Sequence, residues 1–204
     1  MRKTAKKFAA RIIALLALAA FLLFVWHMNH CKTDVLYSGL FVPATSGDAD
    51  MARSMIRRGL DVNQSEPQSK ITPLHIAAGL GKTDVARLLI ENGANINARD
   101  INGMTPLHEA ARVGCGGIVT MILAAGVEDI DARNRPGFTP LHMAAMWGYT
   151  EIAAILLVGG ADPWLEVPDG MTAGELAASK GSYGTAIIIG KYMLAHPRKI
   201  RQVA

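Results

Sequence analysis

The sequence predicts an all-α solenoid of about five stacked helix-turn-helix units, two of them imperfect caps, preceded by one apolar helix near the amino terminus. Three observations predict it. Thr72-Pro73-Leu74-His75 returns as Thr105-Pro106-Leu107-His108 and as Thr139-Pro140-Leu141-His142, at spacings of 33 and 34 residues. A weaker copy, Thr172-Ala173-Gly174-Glu175, follows after another 33. Each copy is trailed by the same alternation of apolar runs and glycines. A period of this length marks a repeat architecture, in which each unit is too small to bury its own apolar face and must stack on its neighbours.

The elements follow in order within each copy. Thr supplies a side-chain oxygen for the orphan amides of a helix start, and Pro is pre-set for the first helical position. The first helix then runs through Leu-His-x-Ala-Ala to a glycine (Gly81, Gly114, Gly148), a residue that accepts the left-handed turn ending a helix. A second apolar helix carries Val85, Leu88 and Leu89, then Val119, Ile122 and Leu123, then Ile152, Ile155 and Leu156, stopping at Gly93, Gly126 and Gly160. Ala94-Asn95-Ile96-Asn97 and its counterparts turn the chain outward and back to the next Thr-Pro.

Thr-Pro-Leu-His-x-Ala-Ala, then Gly, then Leu-Leu-x-x-Gly-Ala-x-x-Asn resembles the ankyrin repeat, in three near-complete copies in register. The resemblance covers residues 47–195, about three quarters of the chain. It departs from the pattern at two loops. Gly126 to Asp131 carries one extra residue, and Trp164 stands where other copies have Asn97 or Asp131, which puts the loop hydrogen bonds made there in doubt. Asp48 to Asn63 aligns with Lys82 to Asn97 as the second helix of a degenerate first unit, its charged face (Arg53, Arg57, Arg58) suited to solvent. Residues 32–46 read as a linker and the start of that unit, where Pro43 argues against a regular helix. Ala173 to Lys180 and Tyr183 to Leu194 form the last pair, with Ile187-Ile188-Ile189 expected to pack back on the preceding unit.

Residues 1–31 belong to another class. Arg2, Lys3, Lys6, Lys7 and Arg11 precede the uncharged run 12–26, 15 apolar residues ending at Trp26. As a helix it would span about 22 Å, against about 30 Å for a bilayer core. A snorkelling Arg11 and an interfacial Trp26 make the short span feasible. The competing reading is a cleaved signal peptide, but Ala17-Leu18-Ala19 lies inside the apolar core, and His27, Met28, Asn29 and His30 are poor cleavage residues. An uncleaved signal-anchor is the favoured reading. The basic start then belongs in the cytoplasm and the repeats on the far side, the periplasm if the source is bacterial. The alternative is a soluble, exported protein, periplasmic or secreted, accessory to an envelope enzyme.

The formal charge of +4 is concentrated at the ends. Residues 1–31 hold five Lys/Arg and the basic tail 196–204 holds three, leaving 13 basic against 17 acidic residues between them. Basic ends without interleaved aromatics argue against nucleic acid. Two cysteines, Cys31 and Cys115, give no disulfide framework. His75, His108 and His142 occupy one place in successive copies and are read as backbone ties between units rather than as metal ligands. His27, His30 and Cys31 lack an evident fourth ligand. Gly114-Cys115-Gly116-Gly117 lacks the spacing and preceding strand of a phosphate loop and matches the turn between helices.

No arrangement of residues suggests a nucleophile or a cofactor site, so the sequence predicts a non-catalytic module that binds another protein, with no small-molecule substrate. The ankyrin resemblance implies recognition through loop tips and the inner face of the first helices. The matching positions are Arg99, Ile101 and Met104 in one copy and Arg133, Arg135 and Phe138 in the next. The ends of the first helices add Leu80, Arg112, Val113, Met146 and Trp147. Arg, Met and aromatic residues of this kind are enriched at interface centres.

Overall fold

The computed structural model describes residues 39–197. The apolar segment 12–26, the cluster His27, His30 and Cys31, and the end of the basic tail lie outside the described residues.

Within them the chain forms ten helices in five pairs: α1 (Phe41–Ser46) with α2 (Ala49–Arg57), α3 (Pro73–Gly79) with α4 (Thr83–Glu91), α5 (Pro106–Val113) with α6 (Gly116–Ala124), α7 (Pro140–Trp147) with α8 (Thr150–Val158), and α9 (Ala173–Ser179) with α10 (Tyr183–Ala195). The first helices of successive pairs pack on one another in order, and so do the second helices, giving a two-layer stack. The only ladder pairing among the described residues is an isolated antiparallel bridge between Glu166 and Thr172.

Each Thr of the repeated motif caps its helix. Thr105, extended at φ −104°, accepts from the His108 amide through Oγ1, and Pro106 follows at the first helical position. The inner layer is lined by Leu74, Ala77 and Ala78, then Leu107, Ala110 and Ala111, then Leu141, Ala144 and Ala145, all buried. The paired alanines leave room for neighbouring inner helices to approach closely. The outer layer buries Val85, Ala86 and Leu89, then Ile118, Val119 and Ile122, then Ile152, Ala153 and Leu156, in one continuous core. At Gly114 (φ 78°) the turn is left-handed, and a Cβ there would meet the Tyr149 ring at 2.7 Å, so both backbone and neighbour demand glycine.

Four sequence expectations are corrected or refined by the structure. Pro43 does not prevent a helix: it sits in the first turn of α1, where the amide it lacks would have no intrahelical acceptor. The extra residue before Asp131 is absorbed inside the turn. Asn63 accepts from the Asn95 amide (2.6 Å), Asn97 from Glu128 (3.1 Å) and Asp131 from Asp162 (3.1 Å), so the loop-to-loop bond persists across the insertion. Trp164 ends that series, its own amide received by the Asp162 carboxylate at 2.8 Å. Of the Ile187-Ile188-Ile189 run only Ile189 is fully buried, whereas Ile187 is 56% exposed on the outer side of the last helix.

The three repeated histidines are buried and make identical contacts. In each, Nδ1 lies 3.2–3.3 Å from the amide of the capping Thr, and Nε2 lies 3.1 Å from a carbonyl of the next loop: Met104 for His75, Phe138 for His108, Leu165 for His142. An amide can only donate and a carbonyl only accept. The rings are therefore neutral, with Nδ1 as acceptor and the proton on Nε2. Burial pushes the pKa of His108 and of His142 down to about 4, and that of His75 down as well, although the loop carbonyl opposes the shift in each.

Two tests follow from these ties. His108→Ala strips partners from the Phe138 carbonyl and the Thr105 amide and should cost roughly 2–4 kcal/mol in urea unfolding. Because the folded pKa values lie below the unfolded value, the unfolded chain takes up protons first. Stability is full above about pH 6.5 and falls as pH drops toward 4. Asp131, raised to about 6 by burial, works in the opposite direction in that window but is one group against three. Urea midpoints measured from pH 7.5 to 4.5 should fall, and the fall should be shallower when His108 and His142 are both Gln.

Candidate protein-binding surface

The residues expected to make the binding surface divide into those that hold the scaffold together and those it presents. Arg99 lies across the neighbouring loop and donates from Nη1 to the Arg133 carbonyl at 2.9 Å. Arg133 repeats the act one unit later, donating to the Glu166 carbonyl at 2.8 Å and to that of Gly137 at 3.0 Å. Arg99 also approaches the Asp129 carboxylate at 3.9 Å, an exposed pair that contributes little. Both guanidinium groups are thus engaged by the protein's own loops. Met104 is buried, 8% exposed, its sulfur 3.2 Å from the Asn134 side-chain amide. Arg112 is held along α5 by two bonds to the Glu109 carboxylate, at 2.7 and 2.9 Å.

Phe138 is half-buried, edge-on to His142 with centroids 6.2 Å apart. Met146 is half-buried. Arg135 is exposed, Ile101 is 45% exposed and Trp147, the last residue of α7, is 57% exposed. Leu80, just past α3, matches them at 52%. The backbone beneath is fixed: the Ile101 amide donates to the Ser69 carbonyl at 2.7 Å and the Arg135 amide to that of Asn102 at 2.8 Å. In the next copy the same position is Pro168, which has no amide, and this ladder of loop tips ends there.

Two features escaped the sequence reading. A recess of about 320 Å³ opens between α3 and α5, bordered by Ile71, Ile76, Leu80, Asp100 and Glu109. Its signal was Gly79, which stands where the following copies have Arg112, Met146 and Ser179. The second is Lys70, left-handed at φ 58° and the sole non-glycine with positive φ among the described residues. Its counterparts in the other loops are Gly103, Gly137 and Gly170. Cys115, free and half-buried, has its thiol pKa raised by burial, as befits a packing residue.

Stacked helix pairs, interlocked loops and exposed apolar side chains at inner-helix ends (Leu80, Trp147) and at a loop tip (Ile101) define a helical-repeat recognition scaffold. Comparison with known families specifies which. A model of three ankyrin repeats matches residues 40–134, and the single ankyrin repeat matches residues 136–166. Together these matches span more than half of the chain, which belongs to the ankyrin-repeat proteins. No curated protein matches the chain. Ankyrin repeats make it a protein–protein interaction module, of a family whose members are generally non-catalytic.

Lys70→Gly removes the strain of a left-handed side-chain-bearing residue. It should stabilise the fold by about 0.5–1 kcal/mol, read as a higher urea midpoint at constant m.

Proposed function

We propose that the protein is a non-catalytic binding module held at a membrane by residues 12–26, with its amino terminus in the cytoplasm and its repeats on the far side, the periplasm in a bacterium. The exposed Leu80, Ile101 and Trp147 carry the binding half of this reading, together with Arg135, Phe138 and Met146. These are large apolar and cationic side chains displayed on a backbone whose loops are tied to one another, so that little ordering entropy is lost when a partner docks. The partner is another protein, and no cofactor, nucleic acid or small-molecule substrate is required. The anchor half rests on the basic start and the uncharged run ending at Trp26. Among the described residues no helix is long and apolar enough to cross a membrane. Confinement to a membrane raises the effective concentration of the module toward other proteins there.

Replacing Arg135, Phe138 and Trp147 together by Ala should abolish cross-linking to the native membrane partner while helical circular dichroism is unchanged; undiminished cross-linking rejects this surface. Protease treatment of intact cells should degrade the repeats and spare the amino terminus. An intact mass lacking the first 19 to 31 residues would instead establish the cleaved, soluble form.

A further inference from the structure

The surface positions at the end of the inner helices are filled differently in each unit. Arg112 lies along its own helix on Glu109, Met146 is half-buried and Ser179 is exposed. Gly79 alone contributes no side chain, and the space it leaves is the recess between α3 and α5. Its walls are apolar: Ile71, Ile76 and the half-exposed Leu80. Its rim is not. Asp100 stands on one side, its Oδ1 accepting from the amides of Asn102 at 2.8 Å and Met104 at 2.7 Å, and the Glu109 carboxylate with its Arg112 partner closes the other. Two carboxylates against one guanidinium leave the rim net negative.

The buried histidines report the same imbalance. At His108, Arg99 lowers the pKa against a smaller opposing effect of Asp100, and Arg133 lowers that of His142. At His75, which borders the recess, the nearby charges are Asp100 and Glu109, and both act to raise the pKa. The field is thus negative at this unit, whereas an arginine contributes at the next two.

We propose that this recess is the anchoring pocket of the module, and that it takes one large apolar side chain of a partner protein's segment, with a lysine or arginine adjacent in that segment facing Asp100 and Glu109. The inference rests on the binding reading above and names the chemistry of the partner. An apolar side chain fills the space left by Gly79 and covers Leu80. The neighbouring cation meets the rim without displacing Arg112 from Glu109. An acidic segment would meet two carboxylates, so the site discriminates by charge as well as by shape.

The test uses the full-length chain in lipid nanodiscs, panned against a displayed library of random 12-residue peptides. Selected peptides should share a large apolar residue beside Lys or Arg, and their affinity should fall at least tenfold on Gly79→Leu. That substitution fills the recess, and the nearest side-chain atoms its Cβ meets are the Glu109 carboxylate at 3.1 Å and the Arg112 guanidinium at 3.6 Å. Leu80→Ser, at an exposed position, should weaken the same peptides and serves if Gly79→Leu does not fold. Glu109→Gln frees Arg112 and should erase the preference for basic neighbours. Peptides that bind equally to Gly79→Leu and Leu80→Ser, or that carry acidic neighbours, overturn the anchoring pocket and leave the interaction module standing. Failure to select any peptide overturns the anchoring pocket, and together with undiminished cross-linking by the triple-Ala variant it overturns both.

Discussion

The bond from a buried neutral histidine to the carbonyl of the following loop is the constraint on which the stack depends. Alternating apolar faces would let helix pairs slide on one another, because burial is non-directional. A hydrogen bond inside the core is directional and costly to leave unmade. His75, His108 and His142 each join three things: the cap of their own helix, the packed core and the loop that begins the next unit. One side chain thereby sets register three times. In the last unit Glu175 takes the histidine's place and closes the capping box on Thr172 from the surface, with no further loop to reach. The substitution marks where the series of ties ends.

The loops are organised by the same logic at lower stakes. Asn63, Asn97 and Asp131 each reach an amide of the next unit, and Arg99 and Arg133 each reach a carbonyl. These exposed bonds are individually weak, but they orient the tips relative to one another. Polar residues at loop tips in a solenoid are thus not free by default. The arginines left to meet a partner are those whose donors the scaffold has not already used, whereas a carboxylate that accepts from an amide or a guanidinium keeps its charge.

That distinction separates what was legible in the sequence from what was not. The units, their caps, their turns and the role of the histidines follow from repetition, because identical residues at equal spacing must meet identical surroundings. The division of the candidate site does not. Arg99 and Arg135 look alike as loop-tip arginines, yet one crosses to a neighbouring carbonyl and the other does not reach back in the same way. Met104 looks like an interface methionine, but its loop folds it under Asn134. Pro43 looks like a helix breaker until its place in the first turn is known. In each case the residue type is ambiguous and only its position in three dimensions decides. The recess is a different kind of omission. It is made by a missing side chain, and a search for informative residues passes over a glycine that sits in a helix with ordinary dihedrals.

The four occupants of that position, Gly79, Arg112, Met146 and Ser179, show how such a fold separates stability from recognition. Positions that repeat in kind, the Thr caps, the histidines and the paired alanines, are buried, and a change there would act on the stack itself. Positions that differ from unit to unit lie at the exposed end of the inner helices, where a change alters relief and charge and leaves the core contacts alone. A unit with Arg on Glu is flat and charge-balanced. A unit with Met adds an apolar ridge, which Trp147 continues. A unit with Gly is hollow. Because neighbouring units are locked in register by the buried ties, ridge and hollow are held at a fixed spacing, and a partner segment long enough to reach both would have to match it.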